Sequence, residues 1–189
     1  MSSNKINSFL AISLIIIFTI VGIGIGYWFT PEYKLSMYDK NTMDLGQADR
    51  WLDLRYINAM IAHHRGAILI AQKANEKTKN PEIKSLTEEI LKSEPIAINE
   101  LYQWKKDWYH DFKTVRDPIV PNLGNYDDKF DLRFLNALIS HHQSGILMTK
   151  EIRLKSSRSE VLNNADSVEN FLNNSLKMLI DWRKTWYQL

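Results

Sequence analysis

Apolar positions in this chain fall into one unbroken run followed by stretches with helical spacing. No charged residue occurs between Ile6 and Thr30. At ~1.5 Å per residue the part from Phe9 to Phe29 is long enough to cross a hydrocarbon core of roughly 30 Å. It ends in the aromatic group Tyr27-Trp28-Phe29, as a membrane interface favours. A cleaved signal would need a shorter apolar core and a small-residue cleavage site. The segment 1–30 is therefore read as an N-terminal transmembrane helix, an uncleaved anchor. Lys5 and the amino terminus face Lys34 and Lys40 across it, which gives the positive-inside rule little to act on. The reading adopted is a single-pass protein with its C-terminal domain outside the cytoplasm. Residues 31–47, with Pro31 and Gly46, form a tether.

Periodicity begins beyond the tether. Leu52, Tyr56, Met60, His63, Ala67 and Ile70 recur at three- and four-residue steps, predicting a helix over about 49–77. Asn80-Pro81-Glu82 provides an N-cap, a proline in the first turn and an acid where the helix dipole favours one. The second helix that starts there carries Pro95, which predicts a kink. Pro118, Pro121 and Gly124 make 110–126 a connection. A third helix over about 127–155, a turn at Ser156–Ser159 with a serine cap, and a helix to about 187 complete the pattern.

The second half repeats the first. Asp53-Leu-Arg-Tyr-Ile-Asn-Ala-Met-Ile-Ala-His63-His64 returns 78 positions later as Asp131-Leu-Arg-Phe-Leu-Asn-Ala-Leu-Ile-Ser-His141-His142. The same offset carries Trp104 and Trp108 onto Trp182 and Trp186. Two similar hairpins, each with one apolar face, bury those faces most simply against each other. The predicted fold is all-α: a four-helix bundle over 48–189 with pseudo-two-fold symmetry, built from repeats 48–109 and 126–187. About 140 residues suffice for one core.

Composition narrows the chemistry. A net charge of +2 with both signs interspersed, and no basic block, argues against nucleic acid. Cysteine is absent, so disulfides, thiolate metal sites and cysteine nucleophiles are excluded. There is no nucleophile triad, phosphate loop or paired-acid arrangement, and no catalytic residue is nominated.

Four of the five histidines occupy equivalent places in the repeat, which makes a metal ion the first ligand to consider. The candidate ligands are His63, His64, His141 and His142. Adjacent helical residues lie about 100° apart, so one ring of each pair faces the core and the other flanks it, with His63 and His141 the inward choices. Met60 and Met148 lie on the same faces, which predicts one soft sulfur for each pair. Imidazole with thioether suits copper, above all Cu(I); imidazole alone accepts zinc, nickel or iron equally. Glu94 falls on the apolar stripe of the second helix, where a buried carboxylate needs a metal, a histidine or water. Its equivalent is Leu172, so any site using Glu94 is asymmetric.

Blander readings accompany these. Histidines in a core are commonly hydrogen-bonded packing residues, and the two methionines are core filler on their own. Asp53 and Asp131 read as first-turn acids, with Arg55, Arg133, Asn58 and Asn136 pairing with them or with the opposite hairpin. Glu88 and Asp166 suit either the outer shell of a metal site or plain surface charge. The reading is a metal-binding protein first. A structural or interaction module with a degenerate site, and a metal-dependent oxidoreductase, are the alternatives.

The motif Asp-x-x-Φ-Φ-x-x-Met-Φ-x-His-His-x-x-Ala-Φ, with Φ apolar, resembles the bacterial domain of unknown function 305 family, at Asp53–Ile68 and again at Asp131–Ile146. The likeness covers residues 48–187. It implies a ferritin-like helical bundle, exported or membrane-anchored, with an association with metal or copper and no established reaction. The chain departs from the family pattern. Ile70 and Leu138 stand where the family places methionines, and Glu94/Ala97 and Leu172/Ser175 replace its Gln-x-x-Glu step. No Glu-x-x-His step accompanies either pair, which argues against a di-iron oxidase.

Overall fold

The computed structural model describes residues 44–189; the anchor segment and most of the tether lie outside the described residues. Four helices follow in order: α1 Leu52–Asn75, α2 Pro81–Tyr109, α3 Phe130–Lys155 and α4 Ser159–Tyr187. Each starts or ends within a few residues of its expected place. Asn80 caps α2 as predicted, its side chain accepting from the amides of Glu82 and Ile83. The helix continues through Pro95, which lies on the exposed face. The serine cap expected for α4 is absent: Arg158 occupies the N-cap without a side-chain bond. Ser156 is engaged elsewhere, accepting from the Arg158 amide at 3.2 Å and donating to Asp53 at 2.7 Å.

Helix α1 packs on α2, α3 on α4, and the two hairpins meet through α1 and α3. Helices α2 and α4 approach each other much less closely, which leaves a seam between them. The buried apolar side chains divide into two clusters. One takes Ala67, Ile70 and Ala74 of α1 with Ile83 and Leu86 of α2, Phe130, Phe134 and Leu138 of α3, and Leu179 of α4. The other takes Leu52, Tyr56 and Met60 with Ile98, Leu101, Met148, Ile152, Val161 and Ala165. The 78-residue offset turns one cluster into the other: Tyr56 corresponds to Phe134, Ile83 to Val161, Leu101 to Leu179. Stacked tryptophan pairs lie against them, Trp182 and Trp186 on the first and Trp104 and Trp108 on the second, with ring centroids 5.0 and 4.9 Å apart.

Reciprocal polar ties fix the two hairpins in register. Gly46 and Gly124 adopt φ values of 73° and 72°, in the left-handed region that favours glycine, and open a tight turn before α1 and α3. Arg55 closes the first turn by donating to the carbonyls of Leu45 and Gln47 and pairing with Asp49. Arg133 repeats this with Leu123, Asn125 and Asp127. These arginines thus pair neither with Asp53 and Asp131 nor across the bundle, contrary to the sequence expectation. The acids instead reach the other hairpin's turn: Asp53 accepts from Ser156 and Arg158, and Asp131 accepts from Thr78 at 2.8 Å. Lys77 donates to the Gly124 carbonyl and Lys155 to that of Gly46, at 2.9 and 2.7 Å. Thr78 and Ser156, like Lys77 and Lys155, are 78 residues apart. The structural repeat therefore extends back to Leu45 and Leu123, three residues ahead of the expected starts.

Asn136 accepts from Arg183 at 3.1 Å, whereas the Asn58 Oδ1 is buried without a partner. The position equivalent to Arg183 is Lys105, whose amine turns to the Lys113 carbonyl at 2.6 Å.

Arg133→Ala removes three side-chain hydrogen bonds and leaves two turn carbonyls without that donor. It should lower unfolding free energy by about 1–3 kcal/mol in urea titrations. A change within ~0.5 kcal/mol would mean that water replaces the brace at no cost.

Candidate metal centre

Between the two apolar clusters lies a layer of four histidines. His63, His64, His141 and His142 are 7, 8, 1 and 4% exposed, so both rings of each pair are buried, not only the inward one. The two inner rings meet across the contact between α1 and α3, His63 stacking on His141 with centroids 3.8 Å apart and planes 23° from parallel. The outer rings flank them, His64 with its centroid 6.1 Å from His63 and His142 with its centroid 6.0 Å from His141. Each outer ring is held by the second helix of its own hairpin.

The hydrogen bonds determine which nitrogens are free. The His63 Nε2 lies 3.1 Å from the His141 carbonyl, to which it can only donate, and Ser144 donates to the same oxygen. In a neutral ring that leaves a bare lone pair on Nδ1, which is buried without a partner. The His64 Nδ1 forms a short bond to Glu94, leaving Nε2 buried and unpartnered. Glu94 has thus taken the histidine among the three partners its position allowed. A carboxylate on one ring nitrogen is the arrangement that fixes the tautomer and presents the other nitrogen to a metal. The His142 Nε2 bonds the Ser175 hydroxyl at 2.9 Å, and the Nδ1 atoms of His141 and His142 have no hydrogen-bond partner.

All four imidazoles line one cavity of about 250 Å³, together with Glu94, Ser175 and an apolar wall that includes Leu86, Ile90, Leu138, Phe171 and Leu172. Its lining from Ser93, Ala97, Ser167 and Val168 lies along the seam between α2 and α4. Met60 and Met148 do not line it. Both belong to the same apolar cluster, on one side of the histidine layer. Their equivalents in the other cluster are Leu138 and Ile70, so the sulfurs are not shared one to each histidine pair. Glu88 is exposed and Asp166 pairs with Arg153 at the surface, which leaves neither an outer-shell role. His110, outside the repeat, ends α2 in a left-handed conformation.

Burial sets the protonation of the layer. It pushes the His63 imidazole down to about 3; neighbouring His64 and His142 act in the same direction, and the bond to the His141 carbonyl opposes them. Burial holds His141 well below the ordinary 6.5, with the surrounding histidines adding to it. His142 falls to about 4, again through burial; the nearby Leu138 carbonyl pulls the other way without a hydrogen bond of good geometry. These three rings are neutral at pH 7, the state in which imidazole binds metal.

The donor set fits a soft or borderline ion: imidazole nitrogens without partners, one carboxylate, and an apolar surround. Among the described residues, however, no three His, Asp or Glu groups are already gathered about one point. The stacked rings explain part of this. A ring lone pair lies in the ring plane, and two nearly parallel planes 3.8 Å apart do not aim at a common ion. Coordination by both inner rings therefore requires one of them to turn. Sequence reasoning did not assign Ser175 to His142. The available signal was its place, three residues after Leu172 on the buried face of α4.

The lowered histidines give folding a defined pH dependence. Between their folded values and 6.5 the unfolded chain binds more protons, so stability rises with pH. Their contribution is present in full above 6.5 and is lost as pH falls from there towards about 3–4. Each ring contributes a slope of up to about 1.4 kcal/mol per pH unit in that window. Urea midpoints from pH 7 to 4 should fall steeply for the parent and less steeply for His142→Asn; equal slopes would contradict the assignment.

Comparison with known proteins follows the same lines. The sequence profile of the family described as Domain of unknown function (DUF305) matches residues 53–119. An uncharacterized protein of Acanthamoeba polyphaga mimivirus is 41% identical over 49 residues, which are 26% of this chain and 32% of that protein. The match thus spans about a third of the relative's length. Among solved structures, the chain is similar to CopM in its Cu(I)-bound form, at 26% identity and a TM-score of 0.65, over 73% of this chain and 99% of that one. Apo CopM gives 27% and 0.63, over 71% and 98%. A DUF305 fragment from Deinococcus radiodurans gives 18% and 0.57, over 72% and 97%, a likeness of fold. The sequence likeness to DUF305 thus covers the first hairpin and the connection after it, and the bundle resembles the DUF305 fragment in fold.

Proposed function

We propose that this bundle is a metal-binding domain that takes up a soft ion, copper or silver, in the cavity between its hairpins. The observation that carries the reading is the set of four partnerless ring nitrogens around that one cavity. His63 and His141 are the central ligands, His64 and His142 flank them, and Glu94 orients His64 rather than binding the ion. Met60 and Met148 support the layer from the apolar cluster beneath it. The likeness to a protein solved with Cu(I), silver and Cu(II) supports the choice of metal. When bound, the ion would draw on neutral imidazoles without displacing protons from His63 or His142. The rest of the reading is a single-pass anchor over residues 1–30, a tether over 31–47 and the bundle over 48–189, outside the cytoplasm. The length of the uncharged run and its aromatic end support it.

A second reading has an observation in its favour. His63, His64 and His142 each have a protein partner, and the inner rings stack, which is what a purely structural histidine layer requires. Metal binding by the full-length protein separates the two. The parent should retain Ag(I) or Cu(I) stoichiometrically on dialysis and gain thermal stability from it, and His63→Ala with His141→Ala should abolish both. A parent that binds neither ion, with a double variant that loses about 2 kcal/mol or more regardless of chelator, would establish the structural role instead. Recovery of the protein in the soluble fraction of the cells used for that purification would overturn the anchor.

A further inference from the structure

Among the positions where the two histidine helices differ beside the layer, one removes a side chain. Ala67 of α1 corresponds to Gly145 of α3, four residues after His141. A Cβ on Gly145 would stand 2.6 Å from Nε2 and 2.8 Å from Cε1 of His63, and 2.5 Å from a methyl of Leu172. These contacts are closer than real Cβ atoms tolerate. The backbone φ of Gly145 is not positive, so glycine serves there to leave space rather than to permit a turn. The space is occupied by the His63 ring and by Leu172, the residue that stands where Glu94 stands in the other hairpin.

Two differences between the halves meet at this point of the layer. In the first hairpin the position on the second helix carries Glu94, which reaches His64. In the second hairpin the same position carries an apolar side chain that closes over the missing Cβ, and His142 turns one helical step further to Ser175. His63 is seated between Gly145 and the face of His141, with Nε2 on the His141 carbonyl and Nδ1 left bare.

We propose that Gly145 is a positioning residue for the metal site: its missing side chain admits the His63 imidazole into contact with α3 and so fixes which His63 nitrogen is free. The proposal rests on the metal-binding reading given above. A Cβ at this position drives the ring off the His141 carbonyl, because the backbone of α3 cannot retreat from a packed neighbour as readily as a side chain can rotate. Leu172 yields to the same Cβ but cannot relieve the clash with the ring.

Gly145→Ala in the full-length protein tests this, with Ala67→Gly as the reverse change at the equivalent place. Long-range proton–nitrogen NMR spectra report the His63 ring directly in the metal-free protein, and an Ag(I) titration reports the site. Gly145→Ala should shift the His63 ring nitrogens and weaken Ag(I) binding by roughly tenfold or more, with helical content retained. Ala67→Gly should leave both readouts near those of the parent. If Gly145→Ala does not fold, Gly145→Ala with Leu172→Ala relieves the aliphatic contact and should still show the displaced ring. Unshifted His63 signals in a folded Gly145→Ala or double variant would overturn the proposal. If the parent binds no Ag(I), the metal reading fails, and the ring signals alone still decide whether Gly145 seats His63.

Discussion

Placing four imidazoles between two apolar clusters is the constraint to which the rest of the structure conforms. A charged imidazole in that layer would be costly, and a neutral one still needs a partner for at least part of its polar edge. The protein meets both requirements in pairs. The inner rings stack on each other, His63 donates to the His141 backbone carbonyl, and each outer ring is held by a residue on its own hairpin's second helix. At least one buried nitrogen on each ring remains without a partner, and all four rings line the cavity. A layer with no ligand to receive would be expected to pair these nitrogens too, or to replace the histidines by apolar residues.

The duplicated architecture explains why both halves contribute. Each histidine helix begins in a glycine turn braced by its own arginine, and is tied to the other hairpin's turn by a lysine and a hydroxyl. These reciprocal ties set α1 and α3 in register, and the register brings His63 opposite His141. Divergence between the halves is concentrated nearer the centre and along the second helices. Glu94 against Leu172, Ala67 against Gly145 and Lys105 against Arg183 each change a polar or steric partner while leaving the backbone plan intact. One hairpin thereby supplies a carboxylate to the layer, and the other supplies the room into which the first hairpin's histidine fits.

Much of this was legible in the chain itself. The helices followed from apolar spacing and from Asn80-Pro81, and the bundle followed from the repeat, because those signals are local or periodic. The convergence of His63 and His141 followed from symmetry. Choices among partners did not. Arg55 and Arg133 satisfy backbone carbonyls of turns whose shape depends on glycines at positive φ, and no side-chain pairing rule points there. Ser156 could cap α4 or bind Asp53, and the position of the opposite hairpin decided it. The methionines looked evenly shared because each lies near one histidine in sequence. The pseudo-two-fold relation exchanges the two clusters, so a residue before His63 and a residue after His141, Met60 and Met148, fall on the same side of the layer. The exchange of Ala67 for Gly145 carries no periodic or motif signal, and its consequence depends on where the His63 ring packs.

The central claim is that imidazoles from both hairpins, rather than the methionine sulfurs, hold the ion. X-ray absorption spectroscopy at the metal edge of the Cu(I)-loaded full-length protein tests it most directly. The account predicts a first shell of nitrogen with the outer-shell scattering that rigid imidazole rings produce, from at least two rings. A shell dominated by sulfur, or one that lacks imidazole scattering, would contradict it.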